Sequence, residues 1–230
     1  MSIIVKNTTL PNPLELLAPH SCRGCGRLGT LLCDCCKNYI INRETNICPI
    51  CKNKTSHGKC RKHASFPVNY NLGERSELLD LLIHDYKYHS VRALSGILAE
   101  LVNDVLPKLP SDAILVPLPT ATHHIRERGF DHTWLMAKKL ARLQRIKVRP
   151  VLLREKNTVQ VGADRKARLN QAEHAYSINP KMTIDSEVTY ILFDDIWTTG
   201  ASMKTAIKKL RQAGAIKIIV ILLAISRLEN

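Results

Sequence analysis

No cysteine follows Cys60 in this chain of 230 residues, and aromatic side chains make up only 5% of it. Long apolar runs are also absent, because the longest, at residues 218–225, is far shorter than the ~20 residues that a membrane-spanning helix needs. Residues 1–19 carry a single lysine and no continuous apolar core, so they lack the pattern of a secretory signal. We therefore expect a cytoplasmic protein without membrane insertion.

Acidic residues are few compared with basic ones. The chain has 34 Lys and Arg against 20 Asp and Glu, which gives a formal net charge of +14. Such an excess is typical of proteins that bind phosphorylated ligands or nucleic acids. Because aromatic residues are scarce, base stacking would contribute little to the binding of a single strand.

The sequence changes character twice along the chain. Residues 1–19 form a short lead-in, residues 20–66 hold all eight cysteines, and residues 67–230 alternate apolar segments with polar turns. A segment like 20–66 has little apolar periodicity, cannot bury a core unaided and needs metal ions to hold its fold. The interpretation is a small N-terminal zinc-binding module followed by a larger domain.

Short apolar runs in the larger domain predict β-strands, and segments with helical periodicity separate them. The predicted strands lie at residues 113–116, 148–153, 188–193 and 216–223, and the clearest helices at 134–143 and 202–213. Strands that alternate with helices indicate parallel βαβ units. The predicted fold class is therefore α/β, with a mainly parallel sheet flanked by helices.

The cysteines occur in pairs three residues apart. Four pairs follow one another, namely Cys22 with Cys25, Cys33 with Cys36, Cys48 with Cys51, and Cys60 with His63. Two thiolates at this spacing on a tight turn can bind one tetrahedral Zn²⁺, and a second pair completes the coordination. A cytosolic protein keeps its thiols reduced, which favours metal ligation over disulfides. The pairs predict one or two zinc ions.

The sequence leaves open how the pairs combine. Neighbouring pairs could form two successive zinc ribbons, or alternate pairs could combine in a cross-brace. Cys35 lies outside the spacing and is either a bystander or a substitute ligand, and His57 is interpreted as a surface residue. Because closed sets of four ligands leave no open position, the zinc is predicted to be structural rather than catalytic.

A second informative segment follows the strand predicted at residues 188–193. Asp194 and Asp195 come first, then the turn Thr198-Thr199-Gly200, and a helix begins near Ser202. Adjacent carboxylates at the end of a strand can accept hydrogen bonds from two ribose hydroxyls. The turn offers backbone N–H groups and hydroxyls to a phosphate, which the positive end of the helix also favours. The segment predicts a ribose 5-phosphate site at the carboxyl edge of the sheet.

This segment resembles the signature of the type I phosphoribosyltransferases, which bind phosphoribosyl pyrophosphate (PRPP). Together with the paired cysteines, nearly the whole chain from Pro13 resembles the ComF family of competence proteins. The resemblance extends to Lys87-Tyr88, Val116-Pro117-Leu118-Pro119, Arg126-Glu127-Arg128-Gly129-Phe130, residues 158–160, Arg168 and Ala175-Tyr176. Three positions depart from the family pattern, because Asp131 and His132 stand where the family usually has Asn and Gln, and Gln171 stands where it usually has Asn.

The resemblance implies transfer of a phosphoribosyl group from PRPP, with Mg²⁺ and with release of pyrophosphate. It implies that Asp194, Asp195 and Arg168 act in catalysis, the two acids by holding the ribose hydroxyls and stabilising the cationic sugar. The implied PRPP- and phosphate-binding residues are these two acids with Thr198, Thr199, Gly200, Ala201, Ser202, Lys87, Pro117, Leu118, Arg126 and Arg128. No residue pattern identifies the acceptor.

Other functions stay open beside transfer. The family's setting implies a role in DNA uptake, so the domain could bind PRPP or single-stranded DNA without turnover. The zinc module could instead bind a helicase-like partner. The basic helix positions Lys138, Lys139, Arg142 and Arg145 are more typical of a solvated face than of a nucleic-acid track.

Overall fold

The computed structural model describes residues 20–155 and 175–227 of the chain. Its helices are α1 (Asp34–Ile41), α2 (Glu77–Tyr88), α3 (Leu94–Asp104), α4 (Thr122–Arg128), α5 (His132–Gln144) and α6 (Ala201–Gln212). Its strands are β1 (Val68–Asn71), β2 (Ile114–Pro117), β3 (Lys147–Val148), β4 (Leu152–Arg154), β5 (Tyr176–Ile178), β6 (Thr189–Trp197) and β7 (Lys217–Ile225). In these two ranges no helix combines the length and the apolar composition that a bilayer crossing requires.

Five parallel strands form the central sheet, in the order β1-β7-β6-β2-β3. The two middle strands, β6 and β7, are buried along most of their length on both faces. Continuous apolar strands of this kind are what a parallel sheet covered on both sides requires. The structure confirms the predicted α/β class.

One predicted strand was wrong. Residues 148–153 do not form a single strand, because β3 joins the edge of the sheet while β4 pairs antiparallel with β5 outside it. Pro150 lies between the two, and a proline cannot donate a hydrogen bond to a continuing ladder. The β4–β5 pair thereby leaves the sheet and covers one of its faces.

Alternate residues of the central strands face opposite layers. Ile191 and Phe193 of β6 belong to a core shared with α2, α3 and α5. Tyr190 and Leu192 belong to a second core shared with α6 and the β4–β5 pair. The period of two in the strand places one helix layer on each face, with β6 in the middle of the molecule.

The N-terminal part packs into both of these cores. Leu31 and Ile40 contribute to the first core and Ile47 to the second. The buried side chain of Asn71, at the end of β1, accepts a hydrogen bond from the N–H of Ile47 at 3.2 Å and donates to its carbonyl at 2.7 Å. The division at residue 66 stays an interpretation of the sequence, while the hydrophobic packing is continuous across it.

Candidate functional site

The four metal-ligand pairs form two separate clusters. Cys22, Cys25, Cys33 and Cys36 make the first, and Cys48, Cys51, Cys60 and His63 the second, with the ligand atoms of each within 4.8 Å of one another. Neighbouring pairs therefore combine, as in two successive ribbons rather than a cross-brace. Cys35 is exposed and belongs to neither cluster.

The spacing of the ligand atoms fits a tetrahedral metal. The sulfurs of Cys25 and Cys33 lie 3.6 Å apart, those of Cys51 and Cys60 3.7 Å apart, and His63 Nδ1 is 3.6 Å from the Cys60 sulfur. With Zn–S bonds of ~2.3 Å and Zn–N bonds of ~2.0 Å, tetrahedral geometry separates two sulfurs by about 3.8 Å and a sulfur from a nitrogen by about 3.5 Å. A disulfide would need its sulfurs at ~2 Å. Both clusters could hold structural Zn²⁺.

Local structure brings the first cluster together. Cys33 caps the start of α1 and Cys36 lies in its first turn, so both sulfurs face the preceding loop. The N–H of Cys33 points to the sulfur of Cys22 at 3.4 Å. A Cβ on Gly24 would lie 2.6 Å from the Cys36 sulfur, so only glycine fits between the two pairs.

The loop after β6 has the features of an anion site. Gly200 precedes α6 with φ of 74° and offers no side-chain cap, while the N–H of Ala201 makes a long contact of 3.4 Å to Thr199 Oγ1. The first N–H groups of an uncapped helix are available to an anion, which the helix dipole also stabilises. Residues 198–202, all predicted to bind phosphate, line a cavity of about 50 Å³ together with Asp194.

The indole ring of Trp197 packs against this loop at Gly200. A Cβ on Gly200 would collide with the indole ring, so the loop can approach the ring this closely only with glycine at this position. The edge of Phe66 packs on the same ring, with centroids 5.5 Å apart and planes at 89°. The structure thus gives Trp197 a packing role that the sequence pattern alone did not predict.

A larger cavity of about 280 Å³ adjoins the first, since Asp194 and Ser202 line both. It exists because β2 ends opposite Phe193 while β6 continues, and the chain after β2 turns away from the sheet. Its basic and imidazole groups come from several elements and comprise Lys87, Arg128, Arg154, His123, His124 and His132. Its carboxylates, among the described residues, are Asp194 and Asp195.

Asp195 is buried in a network of polar contacts. Lys87 from α2 forms an ion pair with it, and Nε2 of His132 lies 2.7 Å from its Oδ2 atom. Nη1 of Arg128 lies 3.0 Å from Nδ1 of His132. A guanidinium can only donate, so Nδ1 accepts and Nε2 carries the proton that His132 donates to Asp195. Although burial opposes ionisation, Lys87 and His132 hold the pKa of Asp195 below its usual range.

Asp194 has a different environment. It accepts a hydrogen bond from the N–H of Asp195 at 3.0 Å. Burial and the charge of Asp195 raise its pKa from 3.8 to about 8. Asp194 therefore keeps its proton to higher pH than Asp195 does, and its protonated carboxyl can donate as well as accept a hydrogen bond. The two acids look equivalent in the sequence, but their pKa values are shifted in opposite directions in the folded protein.

The structure brings most of the predicted site residues to these cavities. Lys87, Leu118 and Arg128 line the larger one. Pro117 ends β2 just before the cavity, and Arg126 is exposed on α4, apart from the lining residues that the structure describes. Arg168 lies outside the described residues.

Four basic or imidazole residues of the larger cavity were not predicted from the sequence, namely His123, His124, His132 and Arg154. His132 stood out only as a departure from the family pattern, and its contact with Asp195 joins positions 63 residues apart. Arg154 ends β4, with Nη1 3.4 Å from both the carbonyl of Pro119 and the hydroxyl of Tyr176. A basic residue that ends an apolar strand was its only signal, and many solvated residues share that pattern.

Comparison with known proteins gives a distant likeness. No family model matches the chain, and no curated protein matches it. Solved structures that resemble it include the glutamine PRPP amidotransferase from B. subtilis in complex with ADP and GMP, at 15% sequence identity and a TM-score of 0.40. The match covers 60% of this chain and 30% of that protein.

Proposed function

We propose that the chain is a phosphoribosyltransferase-type protein that binds PRPP with Mg²⁺ and holds two structural zinc ions. The observation that carries the proposal is the junction of the two cavities at Asp194 and Ser202. The smaller cavity offers the uncapped start of a helix to one phosphate, and the larger offers cations to a pyrophosphate. A ribose between them lies with its hydroxyls at Asp194.

In this proposal each side chain has a separate task. The Asp194 carboxyl exchanges hydrogen bonds with the ribose, and ionised Asp195 counters the positive charge that develops on the sugar carbon. Lys87 and Arg128 neutralise the departing pyrophosphate. Mg²⁺ would supply further neutralisation, held by the substrate phosphates together with the carboxylate of Asp194, whose proton it would displace.

Isothermal titration tests the proposal directly. With Mg²⁺ present, PRPP is expected to bind more tightly than ribose 5-phosphate, because the larger cavity engages only PRPP. Replacing Asp194 and Asp195 together with Ala should weaken PRPP at least tenfold, since charge-assisted hydrogen bonds contribute ~1.5–3 kcal/mol each. Asp112→Ala, an exposed acid away from both cavities, is the matched control. Absence of PRPP binding at millimolar concentration would show the proposal to be wrong.

Turnover requires a separate measurement. Release of pyrophosphate is followed while nucleobases and other nucleophiles are offered with PRPP and Mg²⁺. Release that depends on one acceptor and is lost in the Asp194 and Asp195 double variant supports transfer. Tight PRPP binding with no release for any acceptor supports a binding protein without turnover.

A second candidate function is single-stranded DNA binding in DNA uptake, as the ComF resemblance implies. The favouring observation is a cavity of about 370 Å³ between the second cysteine cluster and α6, whose lining includes Ile50, Phe66, Lys204 and Arg211. Phosphate contacts predict an affinity that falls steeply with added salt. Fluorescence anisotropy with a labelled strand measures this, and binding that persists in the Asp194 and Asp195 double variant separates it from PRPP binding.

A further inference from the structure

A third group of metal-ligand residues lies at the end of α2, apart from both cysteine clusters. The ligand atoms of His84, Asp85 and His89 are within 4.8 Å of one another. Both imidazoles are exposed, whereas Asp85 is buried. A cation at this position would therefore meet two accessible rings with a carboxylate behind them.

His89 is oriented for metal binding. Its Nδ1 atom lies 2.9 Å from Oδ1 of Asp85. Because an ionised carboxylate only accepts, Nδ1 carries the proton and the lone pair of Nε2 is left facing outward. Metal-bound histidines usually have their second nitrogen held by a carboxylate in this way, which fixes the tautomer and raises the basicity of the ligand.

The first zinc ribbon holds Asp85 in place. Oδ2 of Asp85 pairs with Nε of Arg23 at 3.0 Å, and only 6% of the aspartate side chain is exposed. Arg23 follows Cys22 directly in the chain, so the ribbon fixes the carboxylate that orients His89. Both oxygens of Asp85 are thus engaged, which makes it an orienting residue rather than a ligand.

His84 supplies the second imidazole. Its ring centroid is 4.9 Å from that of His89, with the planes at 80°. Within the residues that the structure describes, neither nitrogen of His84 has a hydrogen-bond partner. Two nitrogens that share one tetrahedral Zn²⁺ at ~2.0–2.1 Å lie about 3.3 Å apart. Because both rings are exposed, rotation about their side-chain bonds would bring the nitrogens to that separation.

We propose that His84 and His89 bind one exchangeable Zn²⁺, with Asp85 positioning His89 and water completing the coordination. Imidazole ligands favour Zn²⁺, Ni²⁺ and Cu²⁺ over Mg²⁺ and Ca²⁺, which prefer oxygen. Two protein ligands give weaker binding than the closed sets of four in the ribbons. The site is independent of the proposed PRPP function.

The test uses the full chain with both cysteine clusters already filled. Titration calorimetry with Zn²⁺ is expected to detect one further ion of micromolar affinity. His84→Ala and His89→Ala should each weaken it at least tenfold, and Asp85→Asn by roughly tenfold, the usual loss when a residue that orients a ligand is changed. His20→Ala, an exposed histidine outside the three clusters, should leave it unchanged.

Elemental analysis before the titration must find the same cluster-bound zinc in every variant, so that the measured loss belongs to the third site. Absence of a further ion up to millimolar Zn²⁺ overturns the proposal. An unchanged affinity in both histidine variants overturns it as well. Nitrogen NMR of the histidine rings gives an independent readout, because His89 is expected to carry its proton on Nδ1 before metal is added.

Discussion

The cysteine clusters and the cavity around Asp194 are built in opposite ways. The ligands of the second cluster span 15 positions, from Cys48 to His63, and they surround one point. The cavity draws its side chains from α2, α4, α5, α6, β4, β5, β6 and the loop after β2, and it stays open to ligands. One region is a local, closed set of similar ligands, whereas the other is a non-local, open set of mixed charges.

This difference separates what each region does for the protein. A closed set of thiolates gains free energy from a metal ion and has no position left for a substrate. The cavity instead holds half-buried Asp194 beside the buried charge of Asp195, which raises the pKa of Asp194 and costs stability that the rest of the fold must supply. Substitutions should therefore have their largest effect on folding in the first region, whereas in the second they should change ligand binding together with smaller, pH-dependent changes of stability.

The largest effect is expected from Cys48→Ser. Cys48 is fully buried, and Ile47 beside it belongs to the core around β6 and α6. Zinc ligation contributes ~10–16 kcal/mol in small zinc domains, comparable to the whole stability of a typical domain. Because the packing is continuous, we expect the entire chain to unfold or to melt at least 10 °C lower. Circular dichroism and elemental analysis measure the melting and the zinc.

Cys35→Ser provides the matched control. Cys35 is exposed and outside both clusters, so its replacement should leave the zinc content and the melting temperature unchanged. A Cys48→Ser protein whose sheet melts at the wild-type temperature would show that the N-terminal part folds separately. The boundary at residue 66 would then be a true domain boundary.

The next effect concerns the phosphate loop. Gly200→Ala forces a Cβ into the Trp197 ring at φ of 74°, and the left-handed conformation alone costs ~1–2 kcal/mol. We expect the loop to shift and the affinity for ribose 5-phosphate and PRPP to fall at least tenfold. Gly214→Ala, at φ of 103° with open space around its Cβ position, should cost stability alone. Equal loss of affinity in both variants would contradict this explanation.

The two regions also differ in how far the sequence predicts them. Cluster membership follows from spacing, because ligands three residues apart share a turn, and only the combination of pairs needed the structure. The anion loop was predictable for the same reason, since residues 198–202 are contiguous. The contacts of Asp195 with Lys87 and His132 depend on how α2 and α5 pack, which no local pattern contains. The antiparallel β4–β5 pair was likewise hidden in one apolar run.

The unequal acids give a pH-dependent difference. The unfolded chain loses the Asp194 proton near the ordinary value of 3.8, and the folded chain only near 8. Between these values the unfolded state binds fewer protons, so the free energy of unfolding decreases as pH rises. Asp194→Asn does not titrate and should gain stability relative to wild type from about pH 4 to pH 8. Urea unfolding at several pH values measures the difference.

Asp195→Asn should have the opposite effect, because it should lower the stability at neutral pH relative to wild type. The folded pKa of Asp195 is held low by Lys87 and His132 against burial, so its contribution is present at neutral pH and is lost as pH falls below about 4. The substitution leaves Lys87 without its partner, and removing one member of a buried pair costs roughly 3 kcal/mol. Indistinguishable pH profiles of the two variants would mean that the acids are equivalent.

The smallest effect tests whether the two regions are linked. Phe66 lies at the end of the cysteine-rich segment, and its edge packs on Trp197, which supports Gly200. Aromatic pairs of this geometry contribute ~0.5–1.5 kcal/mol beyond burial. Phe66→Leu keeps an apolar side chain, so stability should fall by about 1 kcal/mol. Because the Trp197 ring becomes less constrained, the affinity for ribose 5-phosphate should fall about twofold.

Phe130→Leu is the matched control for the small loss of affinity expected of Phe66→Leu. Phe130 contacts Tyr86 with ring centroids 5.4 Å apart, a similar aromatic pair on the other face of the sheet and away from the phosphate loop. It should lose similar stability without loss of ribose 5-phosphate affinity. If both variants lose affinity equally, the effect is general destabilisation. If only Phe66→Leu loses affinity, the cysteine-rich segment helps to shape the anion site through Trp197. The segment that holds the metal clusters then contributes to ligand binding in the cavity around Asp194.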